Sequence, residues 1–507
     1  MFRRVVRRGA LVALLGVALL ARPAPVAAHA IGSTFQLPVP LWLYLWGAAA
    51  AVGASCIVAI LVVRAPEDPP RYPTLAVASR PARAASVLLA VIGLVWWFGA
   101  MLTGFLLPDS APLPAVLLWI GLWVALPLSA AVIGDAWPSL SPFRTLHAGI
   151  ERLAHTLGWR ADFGLRYPSS LARWPAVTLL FVALWAELVL PGRDAAGAVG
   201  RLMAGYTILT VAGMLLFGGI SWLRHVELFE RLLGWFGRVG PIGRRSHSAE
   251  LCEGCDEDCR PGSCVDCSEC AAAAEPGERD VELRPPFTGL TEVRRGDWSD
   301  AGFILLALSG VTFDGLQETA VWGAIVNVIQ PPLVTLFGAL NAVLLAGTLG
   351  LLGLWIGFLG LFAVAVVLTR RLSGVTLPSV GSLAGAYAAT LLPIAGGYLV
   401  AHYATLVLQG IVWLPDLVRD PVRAVAPEID VPAEAVWYLS VGAIVIGHVA
   451  AVVLAHRLAL RDAPRNPVLA GLPLVALMIG YTMLSLWIIG QPIVLEPGTL
   501  PPAAFGR

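Results

Sequence analysis

The run VLLAGTLGLLGLWIGFLGLFAVAVVLT, residues 343–369, decides the fold because it is 27 residues long and contains no charged side chain. About 20 consecutive apolar residues are enough for a helix to cross a bilayer. The rest of the 507-residue chain is similar: 58% of its residues are hydrophobic and 13% are charged, against about 25% charged in a soluble domain. The sequence therefore predicts an all-α, polytopic transmembrane helix bundle with the lipid bilayer as its first partner.

Nine further apolar runs are long enough to span, so we expect about ten spans with boundaries uncertain by a few residues. The ten predicted spans lie at roughly 39–63, 86–108, 113–136, 174–192, 198–222, 302–325, 343–369, 384–411, 435–459 and 468–490. Residues 326–342 are also apolar but contain Pro331 and Pro332. We expect them to form a re-entrant piece, an interfacial piece or an eleventh span.

Residues 1–28 have the pattern of a cleaved signal peptide: four arginines between positions 3 and 8, a short apolar stretch at 11–20 and small residues at 26–28. An uncleaved anchor helix is the alternative. Cleavage after residue 28 would leave His29 as the N-terminus, where its amine and imidazole together form a good copper(II) chelate. Cleavage after residue 30 would remove it.

The distribution of arginine predicts the orientation in the membrane. All 34 basic residues are arginines, and 24 of the 29 that follow residue 28 fall in or beside the alternate loops 64–85, 137–173, 223–301, 370–383 and 460–467. Because positive loops stay in the cytoplasm, both mature termini are expected outside. The domains are then an N-terminal bundle of about five spans at 29–222, a cytoplasmic loop at 223–301, a C-terminal bundle of about five spans at 302–490 and an outer tail at 491–507. The net charge of +1 and the lack of a binding motif argue against nucleic acid as a partner.

Two stretches of these inner loops predict amphipathic helices lying on the membrane. Ser141 and Pro142 form a helix start, followed by apolar residues at helical spacing up to Leu157. Residues 225–238 repeat the pattern. We expect both to brace the bundle at the interface, with a functional lid as the alternative.

The cytoplasmic loop contains CEGCDEDCRPGSCVDCSEC, residues 252–270, with six of the seven cysteines. The cysteines are Cys252, Cys255, Cys259, Cys264, Cys267 and Cys270. In a reducing compartment they are expected to ligate metal rather than form disulfides. Two C-x-x-C pairs fit a zinc site, four of the thiolates fit an iron–sulfur cluster, and soft thiolates also suit copper(I). A disordered, redox-labile loop is the alternative.

Titratable side chains inside the apolar runs are the second signal, because they are costly in lipid and usually functional. They are Glu187, Asp314, Glu318, His402, His448 and His456. We hypothesise that His402, His448 and Asp314 bind a metal ion or pass protons, and these three are the catalytic candidates if the protein is an enzyme. His456, about 12 Å beyond His448 on one helix, would be a further station. The alternative is buried histidines bonded to Tyr398, Tyr403 or backbone carbonyls.

Several segments resemble a family of multi-pass membrane proteins of high-GC bacteria that is often labelled fenitrothion hydrolase, and the resemblance covers most of the chain. The segments are HAIGSTFQLPVPLWLYLWGAA from His29, DAWPSLSPFRTLH from Asp135, FDGL from Phe313, AHYATLVLQG from Ala401 and GHVAAVVLAHRLA from Gly447. The resemblance implies the bacterial inner membrane and hydrolysis of an organophosphate triester. It includes Asp135, Asp314, His402 and His448, whereas the cysteine loop lies outside it. A His-Ala start after a signal is also similar to periplasmic copper-resistance proteins.

Three functions follow from these features. The leading hypothesis is transport or homeostasis of a soft transition metal such as copper, with the membrane histidines receiving the ion and the cysteine loop binding it inside. The second is an enzyme in which a metal held by His402, His448 and Asp314 activates water for phosphotriester or ester hydrolysis. The third is a redox protein with an iron–sulfur cluster in the loop and haem between His402 and His448.

We expect elemental analysis of the anaerobically purified protein to find zinc or copper, and a variant with all six loop cysteines changed to serine to lose it, because serine does not supply a thiolate. Iron with a visible absorption band would instead favour the redox protein. Equal metal content in the two proteins would contradict a metal site in this loop.

Overall fold

The computed structural model describes residues 35–36, 39–64, 72–76, 80–246, 264–266, 279–292, 296–374, 379–463 and 465–495. Within these residues, ten helices or helical runs are long and apolar enough to cross a membrane. They are α1 (Leu41–Val62), α2 (Arg80–Leu106), α3 (Leu113–Val132), α7 (Ala196–Phe217), α10 (Trp298–Gln317), α11 (Ala320–Phe337), α12 (Ala339–Leu372), α13 with α14 (Val380–Ala389 and Leu392–Arg419), α15 (Ala433–Asp462) and α16 (Pro467–Ile493). The prediction of a helical bundle with about ten candidate spans is confirmed.

The shorter helices connect these spans or lie beside them. They are α4 (Trp137–Leu140), α5 (Pro142–Thr156), α6 (Trp174–Leu188), α8 (Gly219–His225) and α9 (Leu228–Gly237). Many apolar side chains on the long helices are exposed, among them Leu61, Val95 and Ile208. A monomer in water would bury such a belt, so the belt fits contact with lipid.

Nine of the predicted spans coincide with long helices, and two stretches of the chain differ from expectation. The run predicted at 174–192 is the 15-residue helix α6, about 22 Å long and therefore shorter than the bilayer core. Residues 326–342, predicted as a re-entrant piece, an interfacial piece or an eleventh span broken by Pro331 and Pro332, overlap helix α11 (Ala320–Phe337), which is continuous through both prolines. Gly338, with φ of +82°, then turns the chain into α12.

The predicted inner loops meet on one face of the bundle. Strand β2 (Thr74–Ala76) pairs with β5 (Arg279–Leu283), which pairs with β3 (Ile242–Ser246), and β3 pairs with β4 (Cys264–Val265), all antiparallel. This sheet joins the first predicted loop to the third. The pairs Arg144–Glu230, Arg173–Asp300, Arg231–Asp300, Arg245–Glu282 and Arg284–Asp266 hold further segments together. We call this side the arginine-rich face.

The chain ends approach each other in the described residues. Strand β1 (Phe35–Gln36) and strand β6 (Val494–Leu495) run parallel, with Phe35 opposite Val494. The first long helix, α1, packs against α15 and α16 near the other end of the chain. The two termini of the bundle therefore share one side, and helices from the two halves interlock.

The two predicted interfacial helices have different surroundings. Helix α5 starts at the N-cap Ser141, as predicted, and its Leu153 is 61% exposed, which fits a helix lying on a membrane surface. Helix α9 is not interfacial: eight of its ten residues are buried. The side of α9 that faces away from the apolar core is covered by polar segments of the arginine-rich face. The apolar periodicity of residues 225–238 predicts one buried side and does not predict this second covering.

A buried carboxyl anchors the start of α9. Glu227 is fully buried and accepts hydrogen bonds from Tyr206 Oη at 2.6 Å, from Trp137 Nε1 at 3.3 Å and from backbone amides of the first turn of α9. Burial raises the pKa of Glu227 to about 7, although the hydrogen bond from Tyr206 opposes the rise. Between pH 4.5 and about pH 7, Glu227 is therefore mainly protonated in the folded protein and mainly ionised in the unfolded chain.

This proton makes stability depend on pH. Since the folded pKa lies above the unfolded one, the contribution is largest below pH 4.5 and is lost as the pH rises to about 7. We expect thermal melts in detergent to show stability falling from pH 5 to pH 8, with Glu227 contributing about 3 kcal/mol to the fall. In the Glu227→Gln variant, the fall in stability from pH 5 to pH 8 should be smaller by that amount. An unchanged fall in stability would show that the protonation of Glu227 does not cause it.

Candidate functional site

Helices α10 and α14 bring together an acid and a histidine inside the bundle. The carboxylate oxygen Oδ2 of Asp314, near the end of α10, lies 3.0 Å from His402 Nε2 and accepts a hydrogen bond of 2.6 Å from Tyr403 Oη. His402 and Tyr403 are consecutive on α14, so their side chains approach Asp314 from two directions. The predicted partnership of Asp314 and His402 is therefore present, and Tyr403 is a third member.

A second acid enters the site from α6. Glu187, in the last turn of that helix, accepts a hydrogen bond from Trp123 Nε1 of α3. Glu187 and Asp314 are close enough to interact electrostatically. Two carboxylates in one apolar interior repel each other when both are ionised, so the site favours a state with a bound proton or another cation.

A small cavity lies beside Glu187 and Tyr403. It has a volume of about 40 Å³ and is lined by Glu187, Trp123 and Tyr403 together with apolar side chains of several helices. Because Tyr403 also bonds to Asp314, a single side chain separates the cavity from the Asp314–His402 pair. The lining is mainly apolar, with the carboxyl of Glu187 and the polar atoms of Trp123 and Tyr403 as its polar groups, and the volume is large enough for at least one water molecule.

Trp123 places one part of the site near the middle of α3. Trp123 is the eleventh of the twenty residues of α3, about 15 Å from either end. The stretch of α3 around it, Val116–Ala125, is a π-helix, a form that often marks functional sites. Pro127 lacks an amide hydrogen, so it cannot make the usual helical bond to the carbonyl of residue 123, and this favours the wider winding.

The Asp314–His402 pair is partly accessible. The side chain of Asp314 is 19% exposed and that of His402 is 11% exposed, both at the end of α10 that is remote from the arginine-rich face. Glu318 caps this end of α10, is half-buried, and interacts electrostatically with both residues. The carboxyl groups of Asp314, Glu318 and Glu187 and the imidazole of His402 thus make a region that attracts cations.

The other predicted membrane histidines lie apart from this pair. His448 is fully buried on α15, with Nδ1 2.8 Å from the carbonyl oxygen of Ile444. His456, two turns further, is 5% exposed. In the described residues the Nε2 atoms of both histidines have no hydrogen-bond partner. His448 therefore fits the alternative prediction of a buried histidine bonded to a backbone carbonyl. His402 fits the prediction of a functional pair with Asp314 better.

The predicted three-ligand metal site is not assembled in the described part of the chain. Asp314 and His402 meet, but no group of three His, Cys, Asp or Glu residues there is placed to hold one ion. His29 lies outside the described residues, as do Cys252, Cys255, Cys259, Cys267 and Cys270. The backbone of Cys264 forms part of β4, opposite Ser246 on the arginine-rich face.

Asp135, singled out by the resemblance, belongs to the arginine-rich face and not to the site in the membrane. Its carboxylate accepts a hydrogen bond of 2.8 Å from the amide of Trp137 and lies 4.0 Å from Arg244. Burial raises the pKa of Asp135 to about 6, although Arg244 opposes the rise. These contacts place Asp135 at the start of α4.

Sequence reasoning did not identify Tyr403 and Trp123 as members of the site. The sequence predicts Tyr403 as a partner for a histidine, and in the structure its hydroxyl donates a hydrogen bond to Asp314. Trp123 is one of 18 tryptophans, many of them in apolar runs, and nothing in the local sequence distinguishes it. The one available signal was the adjacency of a histidine and a tyrosine in an apolar segment.

Comparisons with known protein families, with curated proteins and with solved structures found no match for this chain.

We expect Tyr403→Phe to lower the free energy of unfolding by about 1 to 3 kcal/mol, because Asp314 loses a buried hydrogen bond. Tyr398→Phe is the matched control, since the Tyr398 hydroxyl is buried on the same helix without a hydrogen-bond partner among the described residues. That variant should be neutral or slightly more stable. Equal effects in thermal or chemical unfolding would contradict the assigned bond.

Proposed function

We propose that this protein is a multi-pass membrane transporter of cations and that Asp314, His402, Tyr403 and Glu187 form its binding site within the bilayer. The observation that carries the proposal is the Asp314–His402 pair within the membrane-spanning part of the bundle, beside a second acid and a small cavity. Ionisable groups at this depth are costly, so proteins retain them mainly for transport paths, proton relays and ligand sites.

The chemistry of the donors favours a transition metal as the cargo. Imidazole nitrogen with carboxylate oxygen suits zinc, copper or nickel, whereas the thiolates of the cysteine loop suit copper(I) and zinc. The backbone position of Cys264 supports a loop on the arginine-rich face. By the positive-inside rule that face is cytoplasmic, so we propose that the loop receives an ion released from the membrane site.

The number of ligands favours transport over hydrolysis. A catalytic zinc-type centre usually has three protein ligands and an open position, whereas the described residues bring two of the three predicted ligands together. A transport site must release its ion, and two protein ligands bind more weakly than three. The hydrolase implied by the sequence resemblance remains the competing hypothesis, tested by assaying the metal-loaded protein on an organophosphate triester.

We expect vesicles containing the purified protein and a metal-sensitive dye to take up zinc or copper faster than empty vesicles. Asp314→Asn should slow the uptake by roughly tenfold or more, because it removes the charge that binds the ion. Asp109→Asn is the matched control: Asp109 is exposed and accepts a hydrogen bond from the amide of Gly197, which asparagine can also accept.

Uptake by the Asp314→Asn protein at the rate of the unmodified protein would show that Asp314 does not bind the cargo. Uptake no faster than in empty vesicles for either metal would contradict the metal as cargo. The same vesicles with a pH-sensitive dye would then test protons as the transported cation.

A further inference from the structure

Helix α9 closes the cavity toward the arginine-rich face. Leu232 and Phe236 of this helix, one turn apart, line the cavity together with Glu187 and Tyr403. Both side chains are buried, at 6% and 3% exposed. Two apolar side chains between a cavity and a polar layer exclude water and ions, which is how hydrophobic gates work in channels.

The neighbouring side of α9 is polar and belongs to the arginine-rich face. The guanidinium groups of Arg231 and Arg238 lie 4.9 Å and 5.3 Å from the ring centre of Trp235. Arg284 Nη2 donates a hydrogen bond of 3.3 Å to the carbonyl of Gly237 at the end of the helix. A single buried helix thus separates the cavity from the polar layer.

One ion-pair triad ties α9 to the helices that carry the two acids. Asp300, in the first turn of α10, pairs with Arg231 of α9 and, at 3.1 Å, with Arg173 at the start of α6. Helix α10 carries Asp314 and helix α6 carries Glu187. A shift of α9 would therefore break or stretch this triad, which is buried and so has few competing contacts with water.

We infer that α9 is a gate between the binding site and the arginine-rich face, with Leu232 and Phe236 as the barrier and the Arg231–Asp300 pair as the latch. The inference rests on the proposed transport function. The gate is closed here, while Asp314 and His402 are partly exposed at the remote end of α10. This combination is one state of an alternating-access cycle, in which a site opens to one side at a time.

The barrier is tested by the passive proton permeability of vesicles that contain the full-length protein and a pH-sensitive dye. The double variant Leu232→Ala with Phe236→Ala should raise the leak roughly tenfold, because water can then enter the cavity from the arginine-rich face. Leu233→Ala is the matched control: Leu233 is equally buried on the same helix but does not line the cavity. A leak equal to that of the control would overturn the gate.

The latch is tested by hydrogen exchange of the α9 amides, which reports opening of the helix without any transport assay. Arg231→Gln should speed exchange in residues 228–237 by roughly tenfold. Arg238→Gln should not, since Arg238 stacks on the same tryptophan but is not a member of the triad. Equal exchange in the two variants would overturn the latch, and this measurement also decides the matter if the double variant fails to fold.

The gate and the proposed cargo can fail separately. A leak in the double variant, with no metal uptake by the unmodified protein, would keep the gate and reject metal as the cargo. Metal uptake by the unmodified protein, with no leak in the double variant, would keep the transporter and reject α9 as its gate.

Discussion

A carboxylate in the hydrocarbon core of a bilayer needs a counter-charge, a proton or a metal ion, and this requirement connects the main features of the bundle. Glu187 and Asp314 lie in the interior on two different helices, and their hydrogen-bonding partners include a tryptophan, a tyrosine and a histidine. The buried ion pairs of Arg144, Arg173 and Arg231 lie in the layer that closes one face. Neutral or weakly basic partners leave the acids able to exchange a cation, whereas a guanidinium, always charged, would occupy them permanently.

The arginine-rich face has a different physical role. Its segments come from distant parts of the chain, yet they form one small sheet and a set of buried ion pairs over the ends of the helices. Such pairs add little net stability but cost much when one partner is removed, so they specify geometry. Here the geometry includes the position of α9, which has the interior acids on one side and the polar layer on the other.

Much of the fold, and half of the site, could be predicted from the sequence. Long apolar runs identify spans because length and polarity decide membrane insertion, and Asp314 and His402 stand out because titratable residues are rare there. The short helix α6 was not predictable, since the apolar run continues beyond Leu188 to the turn at Pro191 and Gly192. Helix α11 continues through two prolines because membrane helices tolerate lost backbone bonds. Tyr403 and Trp123 join the site through tertiary packing, which no local pattern encodes.

The early end of α6 has an electrostatic consequence. Helix α6 ends at Leu188, one residue after Glu187, and α10 ends at Gln317, three residues after Asp314; Gln317 donates a hydrogen bond of 3.3 Å to the carbonyl of Leu188. Two helix C-termini therefore lie beside the site, and each carries a partial negative charge of about half an electron from its aligned peptide dipoles. The backbone adds to the field of the carboxylates, so the site repels anions even when both acids are protonated.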